Sequence, residues 1–156
     1  TSVEFAKWAK KGYEKIVVYE PMKENIVNVE HTVRNLKNVE IRNKALWNKK
    51  ELLHFSFDGA GSSIDKNGMT VEAEPLDPDS KVTFVKMDIE GAEMNALEGM
   101  KNIIMEQKPK LAICIYHLYD DLWNIPKYIH ELVPEYKLYM RHYSKINEET
   151  VIYAIL

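Results

Sequence analysis

Lys86, Asp88, Glu90 and Glu93 crowd into eight consecutive residues, Lys86-Met87-Asp88-Ile89-Glu90-Gly91-Ala92-Glu93, the densest polar cluster on an apolar stretch of this chain. Two further ionisable residues close apolar runs elsewhere: Glu20 follows IVVY, and His117 follows LAICIY. Titratable groups at the ends of several strands mark a site better than any one of them alone. Three chemistries suit the central cluster. Asp88, with Lys86 or His117, can orient a substrate hydroxyl and accept its proton. Asp88, Glu90 and Glu93 can hold a divalent cation through oxygen ligands, although a few nearby carboxylates fall short of a defined coordination pattern. Glu90 and Glu93 can also simply start a helix, where the macrodipole favours an acid by about 0.3 to 1 kcal/mol.

The elements that must position these residues alternate in type. Residues 15–20 (KIVVYE) read as a strand, and Met22, Ile26, Val29, Val33 and Leu36 form the stripe of an amphipathic helix. Residues 39–46 read as a second strand. Residues 51–57 and 70–76 predict an antiparallel excursion around the turn-rich residues 58–68. Residues 82–88 then predict a strand and 92–107 a single helix, punctuated by Pro109. Residues 111–116 form the most apolar strand. Pro126 is expected to open the next helix in its first turn. Residues 136–143 and 150–156 close the chain as an antiparallel pair. This order predicts an α/β layered sheet with helices on both faces.

In such a sheet ligands bind outside the carboxyl ends of the strands, where Glu20, Asp88 and His117 fall. A carboxylate at Glu20 can accept both ribose hydroxyls of an adenine cofactor, or it can be a solvated acid before Pro21. Strand alternation places Lys86 and Asp88 on one face and Val85 and Met87 on the other. The GxG at 59–61 leads into Ser62 and Ser63 and another strand pattern. It opens no helix, so it reads as a turn and not a phosphate loop, with Ser62 and Ser63 on a loop over the site.

Bulk properties narrow the classes. The chain has 156 residues, 46% hydrophobic and 29% charged, which fits one domain with a single core. No apolar run is long enough to span a bilayer, so no membrane partner is expected. A net charge of -3 with scattered basic residues argues against nucleic acid as the partner. The single cysteine, Cys114, cannot form an internal disulfide and points to a cytoplasmic location, as a buried, inert thiol. His31, His54, His130 and His142 lack metal-ligand spacing, and Tyr136, Tyr139, Tyr143 and Tyr153 suit sheet packing.

The run VKMDIEGAE (85–93) resembles the IKxDxEGxE signature of the FkbM family of S-adenosylmethionine-dependent methyltransferases. Val18-Tyr19-Glu20-Pro21 looks like the family's acidic strand end, and Asn43-Lys44-Ala45-Leu46 like its third strand end. Gly61-Ser62-Ser63, Leu76-Asp77, Ile115-Tyr116-His117, Asp121-Leu122-Trp123 and the closing strands are similar as well. The resemblance implies a Rossmann-like methyltransferase domain over 1–156 that O-methylates a hydroxyl on a small molecule or sugar. Catalytic roles then fall to Asp88, His117, Lys86 and Glu90. Cofactor contacts fall to Glu20, Pro21, Ala45, Leu46, Asp88, Thr1 and Ser2. The chain departs from the family in lacking the first strand and glycine-rich loop. Thr1-Ser2 resembles the end of that loop, with Ser2 capping the first helix. The domain is therefore expected to be N-terminally incomplete. The missing strand would be central, leaving two exposed strand edges that favour a homo-oligomer. A non-catalytic binding domain with the same fold is the competing expectation.

Overall fold

Ile16, Val17 and Val18 are β-branched, and stiff side chains of that kind favour an extended backbone. In the computed structural model of the chain they form β1 (Ile16–Tyr19), after a short helix α1 (Ser2–Trp8). The structure describes residues 1–9, 12–57, 62–64, 69–146 and 148–156, and only the backbone of 55–57 and 62–64. α2 (Lys23–Val33) crosses over to β2 (Val39–Arg42), which pairs parallel with β1 from Ile16↔Val39 to Tyr19↔Arg42. The inward stripe of α2 is the expected one: Ile26, Val29 and Leu36 are half-buried and Val33 is buried, while their neighbours are exposed.

The expected strand over 39–46 is two strands. Asn43 interrupts it, its side-chain amide donating to the carbonyls of Glu20 and Pro21 at 2.9 Å each. β3 (Ala45–Leu46) then joins a different sheet, with β4 (Glu51–Phe57), β5 (Ser62–Ile64) and β6 (Met69–Glu74) in the order β3-β6-β4-β5. The antiparallel excursion is β4 against β6. Ser62 and Ser63, expected on a loop, lie in β5, opposite Phe57 and Ser56 of β4. The turn at 58–61 lies outside the described residues.

β7 (Phe84–Met87), β8 (Lys110–Cys114), β9 (Lys137–His142) and β10 (Thr150–Ile155) form the third sheet, ordered β7-β8-β10-β9. β7 and β8 run parallel, and β9 and β10 form the expected antiparallel pair. Among the described residues β1 pairs only with β2 and β7 only with β8, so each presents an edge.

The main core lies on one face of that third sheet. Met87, Leu111, Ile113, Ile115, Ile152 and Ala154 pack against helices α3 (Glu93–Gly99), α4 (Lys101–Gln107) and α5 (Asp121–Leu132). Each fully buried Leu or Ile there is worth about 1.5–3 kcal/mol of transfer free energy. The opposite face carries Ala112, Cys114 and Val151, and Phe5 of α1 stacks on Phe84 at 5.3 Å between ring centroids.

Two helix expectations need correction. The single helix over 92–107 breaks at Met100, whose backbone leaves the helical region at φ -116° and ψ 16°. The break adjoins a close tertiary contact: a Cβ on Gly99, the last residue of α3, would lie 1.8 Å from the carbonyl oxygen of Trp47, just after β3. α5 begins at Asp121, not at Pro126, which sits inside it. Asp120 and Asp121 start the helix, with the Asn124 N–H donating to the Asp120 carbonyl at 2.9 Å. Pro126 is the sixth of its twelve residues, past the first turn, so it leaves the Leu122 carbonyl without the N–H donor four residues on.

Candidate active site

β7 and β8 lie side by side and parallel, so the residues following them emerge at one end of the sheet. Lys86 and Asp88 share a face as alternation requires, while Met87 is buried in the core on the other side. The Lys86 ammonium donates to the Met87 carbonyl and to the Cys114 sulfur, each at 3.0 Å, and stands 3.5 Å from Asp88 Oδ2. Tyr116 donates its hydroxyl to Asp88 Oδ1 at 3.0 Å. From β8, His117 brings Nε2 to 3.5 Å from Asp88 Oδ1 and 3.6 Å from Glu90 Oε2. All four expected catalytic residues, Lys86, Asp88, Glu90 and His117, therefore meet.

Backbone conformation sets this convergence. Glu90 and Gly91 take consecutive left-handed conformations, φ 57° and 90°, the second of which glycine adopts without a side-chain penalty. The turn folds α3 back so that Glu93 points inward and is fully buried. Glu93 Oε1 accepts the Ile89 N–H at 2.9 Å and Oε2 accepts the Gly91 N–H at 3.0 Å. Oε1 also lies 2.9 Å from His117 Nδ1, in an ion-pair contact set off the ring's hydrogen-bonding axis. Glu93 is thus spent on the turn and on His117, which removes it from the possible cation site of Asp88, Glu90 and Glu93. Among the described residues no group of three His, Cys, Asp or Glu side chains is placed to hold a metal ion.

The electrostatics separate the two acceptor candidates. Burial pulls the His117 ring down, but Glu93 first, then Glu90 and Asp88, more than offset it, and its pKa ends above the ordinary imidazole value. Burial pushes Asp88 up, yet hydrogen bonds from Cys114 and Tyr116 and the Lys86 charge leave it below the ordinary carboxyl value. Burial raises Tyr116 strongly and pushes Cys114 to about 12, which makes that thiol the inert one expected. Asp121, which the chemical reading of the sequence passed over, is almost fully buried beside this group. Its carboxyl is pushed up by burial, and it accepts the Leu118 N–H at 3.3 Å. Glu93 was read only as a helix-start acid or a cation ligand, not as a partner of His117, and Tyr116 was not read as a partner of Asp88. Gly91, a signal for a turn that can reverse a side chain, was their visible cue.

The expected cofactor contacts are more scattered. Glu20 follows β1, and its Oε1 accepts the Met22 N–H at 2.9 Å at the start of α2. Pro21 follows, clipped by Asn43. Ala45 is buried among Trp47, Leu53, Val71 and Ala73, so its side chain serves packing, while Leu46 packs against the main core. Thr1, not Ser2, is the cap residue of α1, and it makes no side-chain capping hydrogen bond.

The methyltransferase FkbM domain profile matches residues 3–145. A crystal structure of a methyltransferase FkbM from Methylobacillus flagellatus KT superimposes with a TM-score of 0.81 at 27% identity, over 99% of this chain and 40% of that one. The chain thus spans about two fifths of that protein's length. No curated protein matches the chain. With a mixed α/β fold of the Rossmann-like methyltransferase kind and the family profile covering most of it, the chain belongs to the FkbM methyltransferase family.

Proposed function

We propose that this domain transfers a methyl group from S-adenosylmethionine to a hydroxyl of a small molecule or sugar. The observation that carries the reading is the meeting of Asp88 and His117 at the adjacent ends of β7 and β8, with Lys86 and Glu90 beside them. The donor set suits the cofactor: Glu20 offers carboxylate oxygens to the ribose hydroxyls, and Asp88 and Glu90 place negative charge near the reacting centre. Pro21 and Leu46 would line the nucleoside, with Ala45 contributing backbone, and Thr1 and Ser2 would face the amino-acid end. Bound there, S-adenosylmethionine supplies an activated methyl group on a sulfonium centre.

The chain's own residues have two tasks, to hold the acceptor hydroxyl and to take its proton. Asp88, held below the ordinary carboxyl value, is a weak base and a good hydrogen-bond acceptor. It orients the hydroxyl. His117, held above the ordinary imidazole value, is a stronger base once neutral, and its buried Nε2 lies 3.5 Å from the Asp88 carboxylate. It takes the proton. Lys86 fixes the Asp88 carboxylate, and Glu90 stabilises the charge His117 gains.

Residues 1–156 are read as one methyltransferase domain working in a reducing cytoplasm, without nucleic-acid or membrane partners, and its exposed strand edges favour a homo-oligomer. A non-catalytic binding domain is the competing reading, supported by the use of Glu20 Oε1 in the turn before α2. Calorimetric titration with S-adenosylhomocysteine separates the two, since saturable binding that Glu20→Ala abolishes supports the enzyme. The test of the chemistry is Asp88→Asn, assayed by S-adenosylhomocysteine release across a panel of hydroxylated sugars and small molecules. Turnover should fall about a hundredfold, the lower range for lost proton-transfer assistance. Unchanged turnover would rule out Asp88 as the orienting group.

A further inference from the structure

We propose that Glu93 is the positioning residue of His117: its buried carboxylate holds the ring proton on Nδ1 and so leaves Nε2 free to act as the base. The functional sense of this rests on the methyl-transfer reading above, whereas the placement of the proton rests on the 2.9 Å charge contact between Nδ1 and Glu93 Oε1 and on the burial of Glu93.

Glu93 is the first residue of α3, where an acid is ordinarily a solvated partner of the helix dipole. This one is different. It is 0% exposed, and its hydrogen bonds come from Ile89 and Gly91 in the turn before the helix. A carboxylate so deep is tolerated only when its oxygens are satisfied and its charge is paired. Two backbone N–H groups satisfy the oxygens, and the available cationic partner is the His117 ring, with Nδ1 2.9 Å from Oε1.

Three carboxylates compete for the proton of that ring. Glu93 stands at Nδ1 from α3, and Asp88 and Glu90 stand at Nε2 from the turn after β7, at 3.5 and 3.6 Å. Asp121 of α5 and Tyr116, just after β8, are the other titratable neighbours, and Lys86 lies behind Asp88. The Asp88 and Glu90 side chains are 41% and 53% exposed, so water screens them, whereas Glu93 is shielded from it. The shorter and less screened contact wins, and the neutral ring carries its proton on Nδ1. Without Glu93 the two carboxylates at Nε2 would draw the proton there. Both ring nitrogens are buried, but Nε2 lies against the part-exposed Asp88 and Glu90 and Nδ1 against the fully buried Glu93, so in that tautomer the accepting nitrogen would face the core. Second carboxylates commonly set histidine orientation and tautomer in this way.

The wild-type chain answers this first. Long-range proton–nitrogen correlation spectra of the histidine rings, recorded above the His117 titration and assigned by loss of one ring in His117→Gln, should show His117 with Nδ1–H. An Nε2–H ring in the wild type overturns the proposal. In Glu93→Gln the His117 ring should move to Nε2–H, or to a mixture rich in it, and its titration midpoint should fall. Glu90→Gln should lower the midpoint while keeping Nδ1–H. A folded Glu93→Gln protein that keeps Nδ1–H refutes the positioning role. If that variant does not fold, the wild-type and Glu90→Gln spectra decide alone. In turnover, Glu93→Gln should lower kcat at least tenfold with KM unchanged, and Glu93→Asp should recover part of it. Calorimetry with S-adenosylhomocysteine stands apart: a wild-type chain that binds none sinks the methyl-transfer reading and leaves the tautomer result standing.

Discussion

Replacing Gly91 with alanine tests the turn on which the site depends. Gly91 sits at φ 90°, and a Cβ there would meet Leu118 Cδ2 and Cγ at 3.3 Å. Left-handed backbone costs a residue with a Cβ about 1–2 kcal/mol, and this φ lies beyond the favourable part of that region. Alanine returns about 0.4–1 kcal/mol by restricting the unfolded chain. Gly12 provides a matched control, because it has φ 84° and nothing within 4 Å of the position of its Cβ. Gly12→Ala should therefore cost only the backbone difference, about 0.5–1 kcal/mol. Gly91→Ala adds the Leu118 crowding and disturbs the N–H that Glu93 Oε2 accepts, which brings the loss to about 1–2 kcal/mol. Urea titration of both variants measures the pair. For a chain of this size the larger loss corresponds to a Tm lower by about 3–6 °C. The reasoning fails if Gly91→Ala is no more destabilising than Gly12→Ala, because the turn would then not be held against Leu118 and Glu93.

Three further outcomes follow from particular contacts. Gly99→Ala should cost about 3 kcal/mol or more, or prevent folding, because its Cβ would fall 1.8 Å from the Trp47 carbonyl oxygen and 2.7 Å from the carbonyl carbon; a thermal melt near wild type would refute the close packing of α3 on the strand before β4. Cys114, pushed to about 12 by burial, should react with a thiol reagent at pH 8 at least about a hundredfold more slowly in the native chain than in urea, and comparable rates would refute the burial. His117 binds its proton more tightly folded than unfolded, so its contribution to stability is complete below the unfolded value of 6.5 and is lost as pH rises through the folded one. Denaturation from pH 6 upward should show stability declining in the wild type and a flatter profile in His117→Gln, whereas equal slopes would remove His117 as the source.

Elements made by short-range chemistry were legible in the sequence. The β-branched runs of β1, β8 and β10 and the stripe of α2 reflect neighbours along the chain; each strand lies within two residues of its expected place, and the α2 helix ends three residues short of Leu36, the last of its stripe. What was not legible depends on contacts distant in sequence. The break at Met100 comes where Gly99 meets Trp47, some fifty residues away in the chain just after β3, and Gly99 was its one local cue. The division of residues 39–46 follows from Asn43 reaching back to Glu20 and Pro21. Asp120 and Asp121 were a visible start for α5 that Pro126 overshadowed. Ser62 and Ser63 looked like loop because serine suits turns, yet pairing with β4 holds them extended.

The site shows the same division. Lys86, Asp88, Glu90 and His117 were identifiable because strand alternation and strand ends dictate where polar residues on apolar strands emerge. Glu93 belonged to the same motif but read as a helix-start acid, since three residues after Glu90 it should have turned to solvent. The left-handed pair at Glu90 and Gly91 reverses that. It sends one acid of the motif outward and the other into the core, so a run of like charges becomes two environments of opposite use. The outward acids, Asp88 and Glu90, face water and the His117 Nε2. The inward acid faces a histidine and the backbone. A cluster that as a string of letters also admitted a cation site is, as a folded turn, a histidine held between carboxylates. Three carboxylates within 3.6 Å of the two ring nitrogens favour the charged ring.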